Sequence, residues 1–532
     1  MSLKPTNVPL TVKDFDCERC GVCAGCGCAC GYIAYLKGED LVDLYGHPHD
    51  PNGIGSFCTK GLTLIQETPK NPLRLRKAIL RDGGNYKEID QKDALEWLNR
   101  NLKGRVAVFL DRFSDLKDYV SAVGFTEHVY TDSLYLPFRA TTLRPQEWRE
   151  QRVILALECE TVFTEVMATR WLVDAFERSS YIVAVSSRYG TTSAKASRRI
   201  LVKPSLVVRF IEELADYIEG KDKELMFKEE IERLAKSISL VKESLILIGE
   251  TLLRSRWRGN VLSALKRIRD KVRVNYSIVG NVSPLKAKGL EEFLKEFTDF
   301  DSLLLTGNPA MFMDETLLNK LKEKRTVHLT LFPNLTANNV DLVIPVKLFA
   351  EREFFPYKNG FGLVAYSPQV LPSIENSFAP HELLGNGRDI EEFLNELGLG
   401  LEEVREAEGG ADVDIPYIEE WEGEFNLYEV EDRGIYVLCD NTLVDEIGHW
   451  NVWTHDMESQ QLAYMNSKTM ERLGVKEEIE IRGTKLKVKK NSNIADDVIF
   501  VPNSYEESQP FNPGTRPGKL LKNPAFRIEE YG

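Results

Sequence analysis

The chain is 532 residues long, 43% apolar and 28% charged, with a formal net charge of −14. That length calls for two to four domains or lobes, not one small core. The acidic balance argues against non-specific nucleic-acid binding, and no run approaches the roughly 18–20 uncharged apolar residues that span a bilayer.

The N-terminus, MSLKPTNVPLTVKDFD, has neither an apolar signal core nor twin arginines. The expected location is the cytoplasm, where cysteines serve metal or redox chemistry more often than disulfides. Seven of the nine cysteines fall between Cys17 and Cys58, six of them in the run CERCGVCAGCGCAC. Close spacing on a glycine-bearing loop lets several sulfurs converge while backbone N–H groups point at them, and four thiolates satisfy a [4Fe–4S] cube. A zinc site of four cysteines stays open on spacing alone, because Cys17 with Cys20 and Cys23 with Cys26 form knuckles of the zinc-ribbon kind. The stretch YIAYLKGEDLVDLYG between Cys30 and Cys58 reads as a hairpin turning at Lys37 and Gly38. His47 and His49 read as solvated loop residues, and Cys159 as a small buried hydrophobe.

From about residue 72 to 425 short β-branched runs alternate with helical stretches. Strands are predicted at 105–110, 153–157, 181–185, 245–248, 302–305 and 341–346, with amphipathic helices at 205–217 and 222–237. This alternation predicts doubly wound α/β lobes with parallel sheets, whose ligands sit beyond the carboxyl ends of the strands. An acidic, glycine-bearing stretch at 402–423 reads as a linker. Short strand-like runs follow at 435–438, 478–482, 485–489 and 497–502.

The subset C-x2-C-x3-C-x27-C, from Cys23 through Cys26 and Cys30 to Cys58, resembles the N-terminal segment of the molybdopterin (Mo/W bis-pterin guanine dinucleotide) oxidoreductases. That superfamily includes formate dehydrogenases, the catalytic subunit of formylmethanofuran dehydrogenase and the large iron–sulfur subunit of respiratory complex I. Gly46, Pro48, Pro51 and Gly55 before Cys58-Thr59-Lys60-Gly61 fit the same pattern, and NSKTMERLGVKEEIEIRGTKLKVKK resembles the superfamily's C-terminal barrel. The resemblance implies three regions: a small [4Fe–4S] domain over 1–71, an α/β body of two lobes over 72–425, and a six-stranded β-barrel over 426–532. It implies Cys23, Cys26, Cys30 and Cys58 as cluster ligands and Lys60 as the electron relay beside them. Cys17, Cys20 and Cys28 are extra to the pattern.

Departures from the superfamily pattern bear on its second cofactor, a Mo or W bis-pterin guanine dinucleotide. In HVYTDSLYLPFRATT the alignment puts Pro137, which has no donor atom, where active members offer a metal ligand; a shifted alignment offers Asp132 or Ser133. The superfamily's first small-residue turn becomes Glu158-Cys159-Glu160-Thr161, its Asp-Pro-Arg becomes Ser186-Ser187-Arg188, and its Gly-Thr-Asp becomes Ser205-Leu206-Val207. Two glutamates at such a turn would repel a phosphate. Thr306, Gly307, Asn308 and Pro309, with Thr336 in Asn334-Leu335-Thr336, keep the second turn and are the nucleotide- or pterin-binding candidates. The same turn could equally be one that the fold needs without any ligand.

The expected function is an iron–sulfur electron-transfer subunit of an oxidoreductase complex, passing electrons to iron–sulfur or flavin subunits. One alternative is a catalytic Mo/W bis-pterin enzyme of formate or formylmethanofuran dehydrogenase type. The other is a zinc-stapled assembly protein. No residue is assigned as catalytic.

Overall fold

The computed structural model describes residues 15–51, 53–82, 85–136, 138–283, 287–358, 363–385, 389–407, 411–412 and 425–532. Pro137 and most of the 402–423 stretch lie outside them; residues 401–406 at its start form a helix, Leu401–Glu406, not linker.

A three-stranded antiparallel sheet comes first, from Cys17–Val22, Gly31–Lys37 and Asp40–Gly46. The second and third strands form the expected hairpin, with Gly38 at φ +59 in its turn. The sheet packs through Tyr32, Ala34 and Leu36 against Phe332, Phe349 and Trp450, so the cysteine segment is built into the body. Polar ties add to this: the Asn71 side chain donates to the Trp450 carbonyl at 2.7 Å, and Glu67 accepts from the N–H groups of Val452 and Trp453.

Two doubly wound sheets follow. The seven-stranded sheet runs Asn85–Ile89, Ala78–Asp82, Leu342–Pro345, Arg325–Thr330, Ser302–Thr306, Val106–Leu110, Val129–Thr131, and its last five strands are parallel. The five-stranded sheet runs Arg198–Leu201, Tyr181–Ser186, Val153–Leu157, Ser244–Gly249, Asn275–Val279, all parallel. The central strands are fully buried on both faces, which is why they read as unbroken apolar runs. All six predicted strands are present. The helix predicted over 222–237 starts only at Lys228. Residues before it double back instead: Lys221 and Lys223 pair with Asp216, and the N–H groups of Met226 and Phe227 donate to Glu213.

Strand order locates the ligand crevices. Numbered along the chain, the five-stranded sheet reads 3-2-1-4-5, reversing between Val153–Leu157 and Ser244–Gly249. The parallel part of the seven-stranded sheet reads 2-1-3-4-5 from its other edge, reversing between Val106–Leu110 and Ser302–Thr306. Each reversal leaves a crevice beyond the carboxyl ends of two neighbouring strands.

The C-terminal region holds six strands, as expected, but they form a curled open sheet and not a closed barrel. The order is Glu478–Ile481, Thr484–Lys490, Ala463–Met465, Val498–Pro502, Tyr436–Asp440, Ile528–Glu530. Its outer strands do not pair with each other: one is only three residues long, and the other turns Glu478 and Glu480 to solvent, a pattern that blunts edges.

Candidate metal centre and crevices

Cys23, Cys26, Cys28 and Cys30 lie in the connection between the first two strands, and Cys58 caps the N-terminus of the helix Thr59–Gln66. The connection is closed by the Cys23 N–H donating to the Cys30 carbonyl at 2.9 Å, and Ala29 sits in left-handed backbone at φ +41. The Gly25 N–H donates to Cys23 Sγ at 3.2 Å. At the helix N-terminus the N–H groups of Gly61 and Lys60 point at Cys58 and favour its anion.

The four predicted ligands are therefore brought together, with Cys28 among them. Cys23 and Cys30 are each 5% exposed and Cys28 is fully buried. Burial pushes the Cys58 thiol up to about 11, helped by Cys26 and opposed by the Gly61 N–H, the Lys60 charge and the Lys60 N–H. Cys23 is raised by burial and by Cys58 and Cys26 beside it. Thiols packed like this do not ionise together without a cation to offset them; a bound metal deprotonates them outright.

A single zinc ion stays open at the cysteines, since Cys26 with Cys28 and Cys28 with Cys30 lie within hydrogen-bonding reach. Zn–S bonds of about 2.3 Å put tetrahedral sulfurs about 3.8 Å apart. Among the described residues only Asp115, Asp118 and His381 bring three candidate ligand atoms within 4.8 Å of one another. No three cysteines do so. The Asp115–Asp118–His381 set is itself filled, because Arg352 reaches Asp118 at 2.7 Å and Asp115 at 3.7 Å.

Lys60 is 8% exposed and donates from Nζ to the Phe163 carbonyl at 3.4 Å. With Cys26 it lines a cavity of about 80 Å³. Lys60 thus stands between the cysteine loop and the crevices, and its charge, after that of Arg112, helps hold buried Asp445 below the usual carboxylate range.

A cavity of about 170 Å³ opens at the switch point of the seven-stranded sheet, lined by Thr306, Gly307, Asn308 and Pro309 on one side and Asp111 and Arg112 on the other. Gly307 has φ +68, and a Cβ there would lie 2.6 Å from that of Asp111, so only glycine fits. The turn is braced from within. Asn308 accepts from the N–H and hydroxyl of Thr336 at 3.1 and 2.7 Å, and the His328 ring and Asn334 both hold the Gly307 carbonyl. The candidate residues are brought together, but Asn308, Thr336 and the Gly307 carbonyl already serve the turn.

Sequence reasoning missed most of the cavity's charged lining. Asp132 faces it with Oδ1 buried and without a hydrogen-bond partner. Burial and then Asp111 push Asp132 up to about 7, against Arg112 and Arg254. Glu446, which accepts from Asn308 at 2.7 Å, is pushed up to about 8 by burial and by Glu506. Among the described residues of the loop HVYTDSLYLPFRATT, Asp132 reaches the cavity. The sequence offers Asp132 only through a shifted alignment and marks neither Glu446 nor Arg254; the convergence of three distant segments makes them a site.

The five-stranded sheet's crevice has a different content. Glu158, at φ +44, accepts from the Ser187 N–H at 2.9 Å and from its hydroxyl at 2.9 Å. Glu160 accepts from the N–H groups of Thr192 and Ser193 at 3.0 and 3.1 Å and from the Ser193 hydroxyl. Arg188 reaches across to Asp440 of the C-terminal sheet at 2.8 Å. Cys159 is buried in an apolar cluster, as expected.

No family model matches the sequence, and no curated protein matches it. Among solved structures the chain is similar to acetylene hydratase from Pelobacter acetylenicus, with a TM-score of 0.64 at 12% identity, over 96% of each chain. The chain therefore shares that protein's fold along essentially its whole length.

Proposed function

We propose that this chain is an iron–sulfur electron-transfer subunit of an oxidoreductase complex, built on the molybdopterin oxidoreductase fold. Its fold likeness to acetylene hydratase supports the superfamily. One observation supports the redox reading: Cys23, Cys26 and Cys30 of the loop lie beside Cys58 at the helix N-terminus, with N–H groups at Cys23 and Cys58. A [4Fe–4S] cluster held there would supply one-electron transfer. Around it the chain's own groups set the field, because N–H donors, burial and a nearby cation tune such clusters. Lys60 is the relay position, lying between the cluster loop and the cavities. With one cluster and no nicotinamide or flavin motif, the chain hands electrons to a partner subunit carrying iron–sulfur or flavin. Among the described residues no helix is long and apolar enough to cross a membrane.

A second reading, a catalytic Mo/W bis-pterin subunit, is favoured by Asp132, whose free carboxyl oxygen lies at the open crevice. Taken alone, the larger cavity is small for the group. Drug-sized ligands take about 300–1,000 Å³; the larger cavity here is about 170 Å³, and the other crevice is filled by side chains. The electron-transfer reading needs no pterin.

Cys58→Ser tests the ligand set. The variant is expected to lose the cluster's visible absorption, while Cys17→Ser and Cys20→Ser keep it. Unchanged absorption in Cys58→Ser refutes the assignment.

A further inference from the structure

Doubly wound sheets bind anionic ligands at the switch point because short turns there leave backbone N–H groups unpaired and pointing outward. In the five-stranded sheet those donors follow Tyr181–Ser186, at Ser187, and open the short helix Thr191–Lys195, at Thr192 and Ser193. All three are taken by carboxylates of the chain, Glu158 on the first and Glu160 on the other two. Both carboxylates come from the turn after Val153–Leu157, the central strand at the reversal. The turn is wedged tightly: a Cβ on Gly249 would lie 1.9 Å from the Glu158 carbonyl oxygen.

The mouth of the crevice is closed from outside. Asp440, at the end of a C-terminal strand, accepts from Arg188 and Thr251, each at 2.8 Å. Arg527, from the same region, bridges Asp440 at 2.7 Å and Glu250 at 2.6 Å. Asp440 and Glu250 are 3% and 1% exposed. Buried charges persist when they are paired and hydrogen-bonded, and the contacts Arg188–Asp440, Thr251–Asp440 and Arg527–Glu250 all cross the boundary between the sheet and the C-terminal region.

We propose that this crevice has been converted from an anion-binding site into a joint that clamps the C-terminal sheet to the five-stranded sheet. Glu158 and Glu160 take the donors that a ligand's phosphates would need. The inference stands on sheet geometry and holds whether or not the cysteines carry a cluster.

A double variant, Glu158→Ala with Glu160→Ala, vacates the donors. Its thermal unfolding, measured with inorganic phosphate exchanged for chloride at equal ionic strength, is expected to rise by about 2 °C, while the wild-type protein does not respond. A folded double variant insensitive to phosphate overturns the proposal, as does equal protection of the wild type. Should the double variant not fold, the single variants Glu158→Ala and Glu160→Ala are measured in the same way: phosphate protection of at least one is expected, and protection of neither overturns the proposal.

Discussion

Replacing Arg527 by methionine is expected to cost about 3–5 kcal/mol of stability. Arg527 is 13% exposed and its guanidinium pairs with Asp440 and Glu250, neither of which reaches solvent. Methionine covers the aliphatic stem but returns no charge, and breaking one partner of a buried network leaves the others uncompensated. Arg188 still holds Asp440, and Arg254 lies 3.7 Å from Glu250, which places the loss toward the low end. The readout is the urea midpoint. Lys468→Met is the matched control, because its pair with Asp496 is exposed on both sides and should leave the midpoint unmoved. An Arg527→Met midpoint equal to wild type contradicts the picture of a charged joint.

Thermal stability is expected to fall as pH rises, most steeply from about pH 6.5 to 8. Burial pushes Glu158, Glu165 and Glu446 up to about 8 and Asp132 up to about 7. The folded chain keeps these protons through a range where the unfolded chain has released them, so rising pH favours unfolding until their folded values are passed. Buried His328 and His449 act the other way. Burial lowers both to about 4, so they add stability as pH rises from there to the ordinary value of 6.5 and nothing beyond it. Their opposition ends where the carboxyl slope is still running. Below the usual carboxylate range, Asp440, Asp445 and Glu250, each held down by arginines, lose their pairing and stability drops again. Unfolding temperatures across pH 5 to 8.5 check this, with Glu446→Gln expected to flatten part of the slope. A profile that rises from pH 6.5 to 8 contradicts the assignment of these groups as buried and raised.

What was legible in the sequence follows from what local pattern can encode. The central strands are buried on both faces, so VILAL and SLLLT stand out as apolar runs, whereas the cysteine spacing alone leaves iron and zinc both open. Strand order is not written in any local run; it emerges from pairing at distances of 100 residues and more, such as Val106–Leu110 beside Ser302–Thr306. The two switch points were invisible for that reason, although the turn Thr306–Pro309 and, by a shifted alignment, Asp132 were named as candidates and line the cavity. The glutamates at 158 and 160 were read as phosphate-repelling, but their partners lie about 30 residues on at Ser187, Thr192 and Ser193, and only the fold shows the donors already taken. The expected barrel is an open sheet because its two outermost strands do not meet, a property of curvature that strand-like runs do not specify.

As proposed above, the cysteine loop holds a four-iron cluster and the chain carries no bis-pterin centre. Metal and sulfide analysis of the protein purified without oxygen tests it most directly. The expected result is about four irons and four labile sulfides per chain, with an electron paramagnetic resonance signal on reduction and no molybdenum or tungsten. Stoichiometric zinc without iron, or molybdenum or tungsten with two pterin nucleotides per chain, would contradict it.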